Sequence, residues 1–436
     1  MVARGTPVRP RHARVGPIVH PQDAANVLDT GISLWFPAPR SYTGEDMAEL
    51  HLHGGTAVVR SVLDALGSVP GLRIADPGEF SRRAFDNGKM DLTALEGVAD
   101  LVNAETEAQR RLAIRQAHGE LYQRYDAWRR ELVAAMAKIE ALIDFGEDEN
   151  IEDGVYDDVC RHVAHLAADI SAHLDDKRQG EIMRSGVALS IVGPPNSGKS
   201  TLLNKLAQRQ VAIVSPIAGT TRDIVETTLD IGGYPVVVRD TAGLRHGSSD
   251  AIEMEGMRRA MDAARDADIR ICMLDVQQAL QGGAGSGFLE TREWRALLDM
   301  PHTFVVLNKA DTVEATPGAA AEWARAHGVG CTPVLLSCAT MAGWDPLMQV
   351  VAADIQRSWD AATADQMPLT KARHRQHLRR CLVHLHAFAR AADGHSAAVL
   401  GAEELRAAAA ALGRITGRIG TEDVLDTLFS TFCIGK

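Results

Sequence analysis

The chain has 436 residues, of which 46% are hydrophobic and 24% are charged, and its formal net charge is −11. This is the composition of an ordinary globular protein, and the length suggests about two to four domains. No apolar run is long enough to span a bilayer, and the acidic charge excludes a global basic footprint for nucleic acid but leaves a local basic patch open.

The six cysteines are scattered, and none forms a C-x-x-C pair, so neither a zinc site nor a thioredoxin-like motif is indicated. Single cysteines are typical of the reducing cytosol, which predicts a cytoplasmic protein without membrane association. The opening residues, MVARGTPVRPRHARV, lack the apolar core of a secretory signal. Their Arg-rich, acid-free composition leaves an organelle transit peptide as the alternative.

The first predicted domain, residues 1–89, is a small α/β domain. GISLWFP predicts a strand, and MAELHLH alternates, with leucines on one face and Glu49, His51 and His53 on the other. TAVVRSVLDALGSV then predicts a helix. The polar face is either a hydrated sheet surface or a ligand-binding face, and the pattern alone favours the hydrated surface.

Residues 90–185 have a helical pattern and form the first part of a predicted helical domain. Thr93 and Glu96 predict a capping box at the start of a helix. Apolar residues then follow helical spacing, which indicates core packing, at Leu121, Tyr125, Trp128, Leu132, Ile139 and Leu142. The acidic stretch DFGEDENIEDG lacks the spacing of an EF-hand and predicts a solvated loop.

Residues 186–351 alternate strands and helices, which predicts a doubly wound sheet. Residues 352–436 are helical again. KARHRQHLRRCLVHLHAFAR carries four histidines that permit metal ligation but favour a solvated helix face: His374, His377, His384 and His386. The predicted fold class is therefore multidomain, α/β plus α, with the doubly wound domain inserted into a split helical domain.

The chemistry begins in VALSIVGPPNSGKSTLLNKL, which is an apolar strand, a loop and a helix. The loop has the spacing G-x4-G-K-S of a phosphate-binding P-loop. Its glycines let backbone N–H groups turn towards phosphate oxygens, its lysine reaches the β- and γ-phosphates, and its serine ligates Mg²⁺. The predicted phosphate-binding residues are Asn196, Ser197, Gly198, Lys199, Ser200 and Thr201.

Two strand ends follow in the order typical of a GTPase. VVVRDTAG supplies residues for magnesium and the γ-phosphate at Asp240, Thr241, Ala242 and Gly243. FVVLNKAD ends in the predicted base-binding residues Asn308, Lys309, Ala310 and Asp311. The carboxylate of Asp311 can accept from guanine N1–H and the exocyclic amine together, and adenine lacks this donor pair, so the predicted base is guanine.

A loop behind guanine O6 is predicted in LLSCAT, at Ser337, Cys338 and Ala339. The switch region is SPIAGTTRD, in which Thr221 can offer its hydroxyl to Mg²⁺. Leu244 stands where familiar GTPases have a glutamine that orients the attacking water. Leucine cannot do this, so hydrolysis needs another water-orienting group and another positive charge.

These motifs, together with SYTGEDMAELHLHGG, DPGEFSRRAFDNGKMDLTALEGVADLV and the terminal FCIGK, resemble the tRNA modification GTPases of the MnmE (TrmE) family. The resemblance runs from about Leu34 to Lys436. It implies a tetrahydrofolate-binding domain, a split helical domain and an inserted G domain. It also implies a homodimer and a heterotetramer with an MnmG-like FAD protein. That pair would add an aminomethyl or carboxymethylaminomethyl group to the wobble uridine of certain tRNAs.

The resemblance also implies the two missing catalytic groups. A potassium ion would replace an arginine finger, held by Asn196, Ser215, Ile217 and Thr220. Glu253 matches the family's water-orienting glutamate, although one extra residue leaves Glu255 as the competing assignment. Contacts to 5-formyltetrahydrofolate or a related folate fall on Glu49, Lys89 and Lys436, which turns the polar face around Glu49 into a binding face.

The terminal segment has two interpretations. Either it is a buried apolar tail, or Phe429, Phe432 and Ile434 anchor it so that Lys436 reaches the folate and Cys433 acts at the modification centre. The family's opening strand and Gly/Arg-rich loop are absent from this sequence. This predicts a misplaced start or a compromised first domain, and leaves a GTP-binding relic as one alternative. A ribosome-assembly GTPase, which shares GTTRD and DTAG, is the other alternative.

Overall fold

The computed structural model describes residues 9–145, 155–176, 178–209, 226–239, 261–281, 291–314, 316–359, 367–390 and 395–418. The chain divides into two compact units. The first comprises Met1–Val102, Arg115–Ala168 and His377–Lys436, and the second comprises Asn103–Ile114 and Asp169–Gln376.

The strands are β1 (Arg14–His20), β2 (Asp23–Phe36), β3 (Met47–His51), β4 (Val187–Val192), β5 (Glu226–Ile231), β6 (Tyr234–Arg239), β7 (Ile269–Asp275), β8 (Thr303–Asn308) and β9 (Val334–Leu335). The helices are α1 (Thr56–Gly67), α2 (Glu79–Asp86), α3 (Leu92–Val102), α4 (Glu107–Ala117), α5 (Glu120–Phe145), α6 (Val155–Leu174), α7 (Gln179–Ser185), α8 (Lys199–Arg209), α9 (Val276–Gln281), α10 (Arg292–Leu298), α11 (Pro317–Ala326), α12 (Trp344–Trp359), α13 (Ala372–Arg390) and α14 (His395–Thr416). Residues 261–266 are also helical.

The first unit opens with an antiparallel sheet in the order β1-β2-β3. The predicted strands correspond to β2 and β3, and the predicted helix corresponds to α1, so these predictions are confirmed. Strand β1 is additional, because Gly16 and Pro17 interrupt the apolar pattern that would have revealed it. Its partner β2 nevertheless pairs with it along most of its length.

The core of the first unit is built on α5. Its predicted stripe is confirmed, since Leu121, Tyr125, Leu132 and Ile139 are all fully buried, while Leu142 at the end is half-buried. Helix α14 runs antiparallel to α5. Arg406 in the middle of α14 pairs with Glu140 near the end of α5, and Arg418, just after α14, donates to Tyr122 near the start of α5. The apolar stripe therefore serves packing and not cofactor binding.

The predicted capping box at the start of α3 is wrong. The helix begins at Leu92, and Asp91 is its N-cap, accepting hydrogen bonds from Thr93 N (2.8 Å), Thr93 Oγ1 and Ala94 N. The carboxylate of Asp91, two residues before Thr93, satisfies the free N–H groups at the start of the helix in place of the threonine. Burial raises the pKa of Asp91 despite these hydrogen bonds.

The predicted solvated histidine face of α13 is wrong in part. His374 is fully buried, His377 and His384 are half-buried, and only His386 is exposed. His384 Nδ1 lies 2.7 Å from Glu404 Oε2 on α14. Within the described residues, no group of three or more histidine, cysteine or acidic side chains could hold a metal ion.

The second unit contains a mixed six-stranded sheet in the order β5-β6-β4-β7-β8-β9. Strands β6, β4, β7, β8 and β9 are parallel, as the alternation of strands and helices predicted. Strand β5 is antiparallel to β6, because the two are joined by Gly232 and Gly233 with φ of 65° and 87°. Two consecutive positive φ angles make a tight hairpin, which cannot cross over to a parallel strand.

A buried ion-pair network fixes the segments that enter and leave this sheet. Arg375 is 8% exposed and donates to Glu181 Oε1 (2.8 Å), Asp176 Oδ1 (2.6 Å) and Leu174 O (2.7 Å). Burial by itself would raise the pKa of Glu181, but the hydrogen bonds from Arg375 and Arg178 outweigh it and lower that pKa. One guanidinium thus holds two carboxylates that lie close to 200 residues away in sequence.

None of the described helices has the combination of length and low polarity that crossing a bilayer requires.

Replacing Arg375 with alanine should lower the free energy of unfolding of the second unit by about 3–5 kcal/mol, because two buried carboxylates lose their partner. Denaturant titration followed by tryptophan fluorescence measures this, and the exposed Arg379→Ala serves as the control. In the wild type, the stabilisation from this network is fully present above the unfolded-state pKa of Glu181, near 4.5. It disappears as the pH falls through the lower folded-state pKa, so the difference between wild type and variant should shrink there. An Arg375→Ala protein as stable as the control at neutral pH would contradict the role of this network.

Candidate nucleotide-binding site

The predicted P-loop connects β4 to α8, and its glycines stand where no side chain fits. A Cβ on Gly193 would lie 2.0 Å from the carbonyl oxygen of Met273 on β7. Gly198 has φ of +102°, and a Cβ there would lie 2.1 Å from Asn308 Nδ2. The loop is therefore pressed against the ends of β7 and β8, with its backbone free to face a phosphate group.

The side chains of the loop differ in accessibility. Lys199 begins α8 and its Nζ donates to Gly193 O (2.9 Å) and Pro194 O (2.8 Å), so the ammonium lies over the loop. Asn196, with φ of 59°, and the helical Ser200 are exposed. Ser197 is fully buried, and its backbone carbonyl accepts a hydrogen bond from Asn308. Thr201 is exposed on α8.

Asn308 connects three segments of the site. It is 2% exposed, its Nδ2 donates to Ser197 O at 2.8 Å, and its Oδ1 accepts from Cys338 N at 3.2 Å. Both ends of one amide are therefore used to join the P-loop to the loop after β9. Asn308, predicted as a base-binding residue, thus holds the site together from behind.

Asp311 is oriented by the residue predicted to lie behind guanine O6. Ser337 Oγ donates to Asp311 Oδ1 at 2.5 Å, and Ala310 N donates to Leu336 O at 3.0 Å. Asp311 itself is exposed. Its carboxylate is thus held at one oxygen by the protein, in an orientation that leaves it open to a base with two N–H donors.

Cys338 and Ala339 have different environments in the same loop. Cys338 is buried, and burial raises the pKa of its thiol to about 11, so the thiol is neutral and unreactive at physiological pH. Its contribution is the backbone N–H that Asn308 accepts. Ala339 is exposed and presents its backbone at the rim of the loop.

The sequence analysis did not identify Asp275, which holds Lys309. Lys309 Nζ lies 2.8 Å from Asp275 Oδ2, and the side chains are 38% and 12% exposed. Asp275 ends β7 directly beside Asn308 at the end of β8. The sequence offered one signal for this pair, the acidic residue that ends the strand IRICMLD. The ends of neighbouring parallel strands meet at one edge of the sheet, so this aspartate could be expected near the end of the next strand.

The predicted folate residues lie on separate elements. Glu49 Oε2 is 3.1 Å from His51 Nε2 on the exposed face of β3, which confirms that these two residues share a face. Lys89 Nζ donates to Pro39 O at 3.0 Å. Within the described part of the chain, no hydrogen bond or ion pair joins Glu49 to Lys89.

The other predicted residues lie outside the described residues: Ser215, Ile217, Thr220, Thr221, Asp240, Thr241, Ala242, Gly243, Leu244, Glu253, Glu255, Phe429, Phe432, Cys433, Ile434 and Lys436.

Two family models match the chain. The model described as the MnmE helical domain matches residues 92–433, and the model described as GTP-binding protein TrmE N-terminus matches residues 1–89. Together they account for nearly the whole sequence.

Full-length relatives agree with these models. The tRNA modification GTPase MnmE of Parvibaculum lavamentivorans is 48% identical, over 98% of this chain and 91% of that protein. The mitochondrial 5-taurinomethyluridine-[tRNA] synthase subunit GTPB3 of Rattus norvegicus is 47% identical, over 94% of this chain and 82% of that protein. The solved structure of Aquifex aeolicus Era bound to GDP and AlF4⁻ is 27% identical over 38% of this chain and 56% of that one, with a TM-score of 0.30.

Replacing Asp275 with asparagine should raise the Kd for GDP by about fivefold, because Lys309 loses its charged partner at the strand edge. Titration of a fluorescent GDP analogue measures this Kd. The control is Asp262→Asn, which breaks an exposed ion pair to Arg265 in the same unit. A double-mutant cycle with Lys309→Ala should show that the two effects are not additive. Additive effects, or a Kd equal to that of the control, would contradict a positioning role for Asp275.

Proposed function

The chain belongs to the MnmE family of tRNA modification GTPases, and from this we propose that it hydrolyses GTP to drive modification of the wobble uridine of certain tRNAs. It is accordingly a GTP-hydrolysing enzyme of tRNA modification. The group proposed to be added is aminomethyl or carboxymethylaminomethyl. The structural observation that carries the proposal is the single amide of Asn308, which joins the P-loop to the loop after β9.

The described residues fit a guanine nucleotide and Mg²⁺. The glycine cradle, the Lys199 ammonium and the exposed Ser200 hydroxyl suit a triphosphate, and the oriented Asp311 suits guanine. We propose that Thr221, Asp240 and Gly243 complete the magnesium and γ-phosphate contacts. Bound Mg²⁺ would neutralise charge on the β- and γ-phosphates.

We propose that hydrolysis depends on potassium and on Glu253. Asn196 is exposed, and its side chain makes no hydrogen bond with the described residues, so its carbonyl oxygen is available to a weakly hydrated cation. Ser215, Ile217 and Thr220 are the other proposed ligands. The ion would supply the positive charge that an arginine finger supplies in other GTPases. Glu253 would orient the attacking water in place of Leu244, with Glu255 as the alternative.

We propose that the first domain binds 5-formyltetrahydrofolate or a related folate through Glu49, Lys89 and Lys436. The support is chemical. An exposed carboxylate and a lysine ammonium can pair with the amino-pyrimidine and the glutamate carboxylates of a folate. Cys433 would then lie at the modification centre. We propose that its thiol takes part in the chemistry there; the alternative is that it only fills space in a packed tail.

The proposed assembly is a homodimer that acts with an MnmG-like FAD protein on tRNA, in the cytoplasm. Family membership over 98% of the chain favours this assignment over a ribosome-assembly GTPase. A GTP-binding relic without modification activity is the remaining alternative, and it is separated from the proposed function by measuring wobble modification directly.

The proposed function is tested by replacing Asp311 with asparagine. GTP affinity should fall by about a hundredfold, because an amide donor then faces the N–H donors of guanine. Affinity for xanthosine triphosphate, which has a carbonyl in place of the amine, should rise. In cells lacking their own family member, wild type should restore wobble modification, read by mass spectrometry of tRNA, and Asp311→Asn should not.

The control for this experiment is Ser337→Ala, which removes only the hydroxyl that orients Asp311 and should keep the preference for guanine. Unchanged GTP affinity in Asp311→Asn would remove Asp311 as the base reader. Normal GTP hydrolysis by a wild-type protein that restores no modification would favour the relic.

Potassium dependence is tested by comparing GTP turnover in KCl and NaCl at equal ionic strength. Wild type should be faster in KCl, and Asn196→Ala should lose the difference, because the neutral carbonyl oxygen that suits potassium is gone. Asn204→Ala, an exposed asparagine on α8, is the matched control. Equal wild-type rates in the two salts would contradict potassium activation.

A further inference from the structure

Helix α13 is strongly basic, whereas the chain as a whole is acidic. Its 19 residues, ARHRQHLRRCLVHLHAFAR, include five arginines and four histidines and have no acidic residue. The whole chain has a net charge of −11, with 57 acidic residues against 46 basic ones. A helix without a single acid in such a chain therefore concentrates positive charge locally.

Three of these arginines lie on the exposed face of the helix. Arg379, Arg380 and Arg390 are all exposed, as is His386 between them. At 3.6 residues per turn, positions 379, 386 and 390 project within about 40° of each other, and position 380 projects about 80–120° to one side of them. The axial distance from Arg379 to Arg390 is about 16 Å. We call these three arginines and His386 the α13 basic face.

Three exposed arginines on other helices of the first unit are paired with acids on the surface. Arg130 pairs with Asp126 (3.2 Å), Arg161 with Asp158, and Arg406 with both Glu140 (3.1 Å) and Glu403 (2.6 Å). By contrast, Arg379, Arg380 and Arg390 form no ion pair with any described residue. The only described hydrogen bond of Arg390 runs to the carbonyl oxygen of His386.

The acids on the neighbouring helix do not neutralise this face. On α14, Glu404 Oε2 lies 2.7 Å from the half-buried His384, and Glu403 is held by Arg406. Val383, which is 62% exposed, lies in the middle of the basic face. A bound polyanion would thus meet guanidinium groups that have no ion-pair partner among the described residues, together with one apolar contact.

We propose that the α13 basic face binds the phosphate backbone of the tRNA substrate. This inference rests on the proposed function and adds the surface that holds the RNA. A guanidinium pairs with a phosphate through two parallel hydrogen bonds, and a row of arginines spaced along one helix face matches the repeated phosphates of a nucleic acid strand. Such contacts position the RNA and do not read its bases.

The test compares two triple variants of the full chain that lose the same charge. The first is Arg379→Gln with Arg380→Gln and Arg390→Gln. The matched control is Arg130→Gln with Arg161→Gln and Arg406→Gln, which removes exposed arginines that are already paired with acids. The probe is a fluorescent, unmodified tRNA transcript, and its Kd is measured by anisotropy over a NaCl series at fixed KCl.

The basic-face variant should bind the transcript about tenfold more weakly near 100 mM salt. The slope of log K against log salt should fall by about 2–3, because each lost phosphate contact removes about one released counterion. The control should keep the wild-type Kd and slope. Both variants should hydrolyse GTP at the wild-type rate, and only the basic-face variant should lose wobble modification in complemented cells.

Equal slopes in the two variants, or a wild type without salt-dependent tRNA affinity, would overturn the proposal. A second contrary result is a basic-face variant that binds tRNA normally but loses both modification and co-purification of an MnmG-like protein. That result would overturn the proposal in favour of a protein interface. Failure of the proposed function is distinguishable, because the wild type itself would then hydrolyse no GTP or restore no modification.

Discussion

The site depends on one buried amide. Asn308 donates to the P-loop through Nδ2 and accepts from the loop after β9 through Oδ1. Because the group is 2% exposed, neither hydrogen bond can be exchanged for one to water without leaving a buried polar atom unpaired, at a cost of about 1–3 kcal/mol. The P-loop and the loop after β9 are therefore held in one fixed relation.

Around this amide, close backbone packing leaves little freedom. Gly193 and Gly198 have no room for a side chain, and Asp275 fixes the Lys309 that follows Asn308 along the chain. Each of these contacts joins the ends of parallel strands, the edge at which open α/β sheets bind ligands. The sheet thus supplies rigidity, while the proposed potassium ligands and Glu253 belong to the segments that connect its elements in sequence.

Helix α13 shows two different uses of arginine. Arg375 is buried between two carboxylates, so its charge is neutralised and it joins distant segments. The arginines of the α13 basic face are exposed and form no ion pair within the described part of the chain, so their charge is available to a ligand. Burial and the presence of neighbouring acids, and not the residue type, separate a structural arginine from a binding one.

The sequence by itself determined the parallel part of the sheet, the α5 core stripe and the P-loop, because periodicity and motif spacing are local properties of the chain. Tertiary structure alone decided which partners meet. Asp275 and Lys309 are 34 residues apart, and Arg375 and Glu181 are 194 apart, so no local pattern could reveal either pair. The burial of His374 and the Asp91 cap likewise depended on competition between neighbours. A helical wheel shows which residues share a face, but only packing decides which face meets water.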